Sequence, residues 1–206
     1  MRRESATVVG LTGEITGSLL SALGRPGNVS IARPPASPHE QEAAATGRPQ
    51  NGWEPGARAM REAARRRSMF VIVPDDPLAG VATAWSAMWE PAAEPGAPQA
   101  FEAQAAEALG AWRDKQFELP DYYLVAAPAQ HTATGPDFYL GPLHAVRPRR
   151  VAVAAVAAAD AAAQAALLLD TLRDLEHGPW WPPLDELLDA VRHFYAGALA
   201  ETSAPA

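Results

Sequence analysis

The run MFVIVP, residues 69–74, decides how the rest of the chain is read. It is short, apolar without alternation, and closed by a proline. A strand with one wet face alternates, so a run of this kind reads as a strand covered on both faces. Two more such runs follow, DYYLVAAP (121–128) and RVAVAAV (150–156), and helical patterns separate all three. Strands spaced by helices need crossover connections, and crossovers make neighbours parallel. The expected fold is α/β: a three-layer sandwich with a mostly parallel sheet of at least three strands, helices on both faces, and a long irregular N-terminal segment.

The helices between the runs follow from spacing. Residues 57–67 look helical, with Arg58, Arg61 and Arg65 on one side. Pro77 suits a first helical position and opens a helix to about Trp89, with Val81, Trp85 and Met88 as its buried stripe. A helix over about 99–117 carries Phe101, Ala105, Leu109 and Trp112 on one face. Residues 138–146 make a helix or irregular turn, weakened by Gly141 and Pro142. Asp160 is the expected N-cap of a helix running to His177, with Gly178 as its terminator. Pro182 and Pro183 open a last helix whose apolar face is Leu184, Leu187, Leu188, Val191 and Tyr195.

Upstream, Ala6–Gly10 reads as a strand, Glu14–Leu23 as a helix and Asn28–Ala32 as a short strand. Residues 24–56 are rich in Pro, Gly and polar residues and read as a linker or draped loop. The resulting division is an N-terminal strand, helix and partly disordered linker over 1–55, an α/β domain over 56–200 and a tail over 201–206.

Composition excludes several chemistries. The chain has 206 residues, no Cys, 17 basic and 24 acidic side chains, and a net charge of −7. Without Cys there is no disulfide, thiolate catalysis or zinc–sulfur site. Residues 1–67 hold ten Arg against six Glu, and the remainder is acidic. An acidic folded part argues against broad nucleic-acid binding, which rests on neutralising phosphates. Lys115 is the only Lys, and the Arg, Ala, Pro and Gly bias points to a GC-rich bacterial genome. No segment has the continuous apolar core of an export signal or membrane span, so the expected location is the cytoplasm.

Ligands of parallel α/β sheets bind beyond the carboxyl ends of the strands. That singles out three loops, at 74–77, 128–137 and 157–160. Asp75 and Asp76 in the first are a carboxylate pair suited to a cation or to acid–base work. As preferred capping residues they read first as a solvated turn whose Asp caps the next helix. In the second, Gln130, Thr132 and Thr134 are candidate ligand-binding groups, while His131 and Asp137 join Asp75 and Asp76 as candidate catalytic groups. No nucleophile elbow completes a triad with His131, and no histidine pair has metal-site spacing, so no metal site and no cofactor are expected.

The stretch VVGLTGEITGSLLSALGRPGNVSIAR (8–33) reads as strand, Gly-rich turn, helix, strand. It loosely resembles the first unit of short-chain dehydrogenases. The resemblance implies that Gly10, Gly13 and Gly17 approach a pyrophosphate and that Arg33 favours NADP. The G-x-x-G-x-x-x-G spacing departs from that family, and no Tyr-x-x-x-Lys pair follows, since Ala111 stands four residues before Lys115.

The pair Trp180 and Trp181 lies in a Pro-bounded connector, and exposed Trp is enriched at interaction hot spots. The missing motifs favour a non-catalytic accessory protein that meets another protein through Trp180 and Trp181 or through Arg61 and Arg65. The alternative is a small-molecule or nucleotide-binding α/β enzyme with its site at the carboxyl edge of the sheet. The residues alone assign no reaction.

Overall fold

All five strands of the described chain join one parallel sheet. The computed structural model describes residues 6–35, 52–90, 93–127, 137–155 and 160–202. Its strands are β1 (Thr7–Gly13), β2 (Val29–Ile31), β3 (Phe70–Val73), β4 (Tyr122–Ala127) and β5 (Val151–Ala155). Their order across the sheet is β2-β3-β1-β4-β5, and every pair is parallel. The α/β class, the parallel sheet and the helix-covered faces are as the sequence implies. The first residues are no appendage to this sheet, because β1 is its central strand.

Helices α1 (Gly17–Leu23) and α5 (Ala161–Arg173) cover one face. Leu19, Leu23, Leu168 and Leu172 pack there on Val9, Leu11, Ile72 and Leu124. The other face carries α2 (Glu54–Ala63), α3 (Ala79–Ala87), α4 (Ala97–Arg113) and α6 (Leu184–Thr202). Trp85 is its hub: fully buried, it meets the rings of Trp89, Phe101, Phe138, Phe194 and Tyr195 within 6.3 Å. Leu184, Leu187, Leu188 and Val191 of α6 are buried in the same cluster, as their spacing requires.

Several expectations change in contact with the fold. Val153 lies mid-run but is 46% exposed, because β5 is an edge strand and one of its faces is only partly covered. Val71, on the inner strand β3, is fully buried. Asp160 does cap α5, accepting from Ala162 N at 3.1 Å. The helix ends at Arg173, however, short of His177, so Gly178 is not its terminator. The following connector is drawn onto the basic run before β5. The buried Arg150 donates to the carbonyls of Gly178 (2.6 Å), Pro179 (3.1 Å) and Asp121 (3.2 Å). Pro77 sits in a turn ahead of α3, which begins two residues later. Residues 138–146 form a π-helical turn, Tyr139–Leu143, that continues into His144–Val146. Residues 36–51 of the linker lie outside the described residues. Among the described residues no helix is long and apolar enough to cross a membrane.

Candidate functional site

The strand order fixes where a ligand has room. The chain leaves β1 toward β2 on one side of the sheet and leaves β4 toward β5 on the other. Adjacent strands whose exits diverge open a crevice beyond their carboxyl ends. A cleft of about 540 Å³ lies there, lined by Thr12 and Gly13 of β1, Val125 of β4, Asp76 after β3, and Phe138 and Tyr139.

Asp76 is the centre of this cleft. Its side chain turns inward and the residue is 5% exposed. Tyr123 Oη donates to Oδ1 at 2.9 Å and Tyr139 Oη to Oδ2 at 2.6 Å. Burial pushes the carboxyl up to about 6, against the opposing pull of hydrogen bonds from Tyr139, the Leu78 backbone N–H and Tyr123. Burial, with the Asp76 charge beside them, raises both tyrosines well above their ordinary value, so they remain donors. No Arg or Lys pairs with Asp76 among the described residues. A buried carboxylate without a cation is uncommon in proteins.

Thr12 lines the same cleft from the end of β1. The residue is 8% exposed, and its Oγ1 has no hydrogen-bond partner among the described residues. A buried hydroxyl left unsatisfied costs about 1–3 kcal/mol.

Local sequence explains how these groups meet. A Cβ on Gly10 would come within 2.9 Å of the Tyr123 ring, so this glycine is the space into which that ring folds on its way to Asp76. Gly13 has φ +94°, and a Cβ there would lie 2.1 Å from the Ala126 carbonyl. Asp137 Oδ1 accepts from the backbone N–H groups of Tyr139 and Leu140, at 2.9 and 3.0 Å, and so holds the turn that presents Tyr139.

The candidates picked from sequence therefore separate. Asp76 and Asp137 line one cleft, but as a buried acceptor and a turn cap rather than as a solvated turn. Asp75 does not line it and lies 4.0 Å from Arg33 Nε. Gln130, His131, Thr132 and Thr134 lie outside the described residues. Among the described residues no group of His, Asp or Glu is placed to hold a metal. Arg61 donates to the Gln116 carbonyl and Arg65 lies 3.9 Å from Glu62. Trp181 is buried, its Nε1 donating to the Pro120 carbonyl at 2.8 Å. Trp180 is 43% exposed, with the Arg150 guanidinium 4.8 Å from its ring.

Thr12, Tyr123 and Tyr139 escaped the sequence reading. A tyrosine inside a doubly buried strand was the available signal, because its hydroxyl needs a partner. The dinucleotide resemblance fails on topology. Dinucleotide-binding sheets place the second strand beside the first, whereas here β3 lies between them and carries Arg33 one strand farther away.

No family model matches the sequence, and no curated protein matches it. Among solved structures, the chain is similar in fold to NadR protein, described in complex with NR. The TM-score is 0.50 at 16% identity, over 88% of this chain. The match covers 52% of the NadR chain, so this chain spans about half the length of that protein. At that identity the likeness shows the α/β fold alone.

Proposed function

We propose that this chain is a small-molecule-binding α/β domain whose site is the cleft beyond β1, β3 and β4. The observation that carries the reading is the unpartnered, buried Thr12 hydroxyl in one cleft with Asp76, at the crevice where the strand order opens the sheet. Native structures rarely leave such a group unsatisfied, and a bound molecule supplies the missing partner. Nucleotide phosphate fits poorly, because the lining includes Asp76, Asp137 and Glu90 and no Lys or Arg among the described residues. A fragment screen by NMR tests the reading. Binders should perturb the resonances of Thr12, Val125 and Tyr139 and lose affinity in Thr12→Val. Binders that all map to the opposite edge of the sheet would overturn it.

A second reading, an interaction protein, is favoured by one observation. The half-exposed Trp180 borders a groove of about 670 Å³ with Trp112, Trp181, Pro182 and Pro183. Photocrosslinking in cells from position 180 tests it. One discrete protein adduct, absent when the reactive group sits at position 153, supports it, and no adduct removes it.

A further inference from the structure

We infer that the cleft takes an organic cation, an amine or charged ring on an apolar body, with Asp76 as its counter-ion and Thr12 as its hydrogen-bond partner. The inference rests on the cleft being the binding site and names the chemistry of its occupant.

Two observations point to a positive ligand, and a third to one that hydrogen-bonds. Asp76 is a buried carboxylate whose two oxygens accept from tyrosine hydroxyls, and no described cation pairs with it. Hydroxyl donors satisfy its lone pairs but leave the charge uncompensated, and buried charges are ordinarily paired. The second is the surrounding field. Asp137 and Glu90 also line the cleft, and no described Arg or Lys does, so its described charges are all negative. The third is Thr12 Oγ1, buried and without a partner in the same wall. A hydroxyl both donates and accepts, so it bonds an ammonium or a hydroxyl equally well. Val125, Phe138 and Ala82 add apolar surface to the wall, which suits a hydrocarbon or ring carrying the charge.

The test compares three probes of one shape: benzylamine, benzyl alcohol and benzoate, titrated into the full chain by NMR. Benzylamine is expected to bind at least about tenfold more tightly than the alcohol, with shifts at Thr12 and Tyr139, and benzoate not to bind. Asp76→Asn should remove the preference for the amine while the alcohol still binds; that residual binding shows the variant is folded. Thr12→Val should weaken amine and alcohol alike. A preference for benzoate, or an amine preference that survives Asp76→Asn, overturns the cationic assignment and leaves the cleft as the site. If none of the three perturbs Thr12 or Tyr139, the assignment and the site fall together.

Discussion

Replacing Asp76 by Asn should stabilise the protein at neutral pH and not at pH 4. Burial raises the carboxyl from 3.8 to about 6, and desolvation is the largest cause. The folded chain thus keeps this proton up to about pH 6, while the unfolded chain gives it up near pH 4. The sign follows directly: the folded state binds more protons between those values, so stability falls as pH rises through that window. The slope is about 1.4 kcal/mol per pH unit, and the whole loss is about 3 kcal/mol once the carboxyl is ionised. An amide carries no charge and escapes the loss. It also fits its two tyrosine partners less well, since its NH2 cannot accept, at a cost of about 1 kcal/mol. Asp76→Asn should therefore be slightly less stable than the parent at pH 4 and about 2 kcal/mol more stable at pH 7.5. Urea denaturation of both proteins at several pH values measures this. Their difference is the informative quantity, because every other group titrates in both. Two parallel curves, with a difference independent of pH, would refute the account of Asp76 as a buried and uncompensated charge.

Three further outcomes follow from packing. Val71→Asp should not fold, because an unpaired carboxylate on the inner strand costs several kcal/mol of a total of about 5–15, whereas Val153→Asp, on the 46% exposed edge position, should melt cooperatively within about 1 kcal/mol of the parent. Arg150→Lys should cost about 3 kcal/mol by chemical denaturation, since a point ammonium cannot reach the three carbonyls that the guanidinium fork bridges or lie between the rings of Tyr122 and Trp180. Lys115→Gly should raise the melting temperature, because Lys115 holds φ 57° just past α4, a left-handed conformation that costs a residue with a Cβ about 1 kcal/mol.

Much of the architecture was legible because burial on both faces leaves a local mark. FVIV and YYLVAA are apolar at consecutive positions; between them, α3 and its C-cap bury Val81, Trp85 and Met88 as expected, while α4 buries Phe101 and Ala105 but then Ala108 and Ala111, leaving Leu109 and Trp112 partly buried. VAVAA carries the same mark yet forms an edge strand, since its place in the sheet depends on pairing that no local pattern records. The site shows the same divide. Asp76 was visible as a carboxylate after a strand. Its burial was not visible, because its partners Tyr123 and Tyr139 stand 47 and 63 residues away. The glycines misled for a related reason. Spacing alone does not tell a phosphate cradle from the gap that Gly10 leaves for a tyrosine ring in the adjacent strand.

The stability cost of Asp76 and the ligand assigned to its cleft are two sides of one free energy. Burial lifts the carboxyl from 3.8 to about 6 by disfavouring its ionised form. A cation placed against it offsets that penalty, and a neutral molecule of the same shape does not. If the cation returns the carboxyl to its ordinary range, the ionised site binds it about a hundredfold more tightly than an uncharged site does, since each unit is a factor of ten. The amine probe should therefore lose about a hundredfold in affinity in Asp76→Asn, while the alcohol loses little. The same substitution that stabilises the fold at neutral pH should thus weaken the site by a similar free energy. A variant that gained the stability and kept the amine affinity would separate the two, and would show that the charge is not held in place for the ligand.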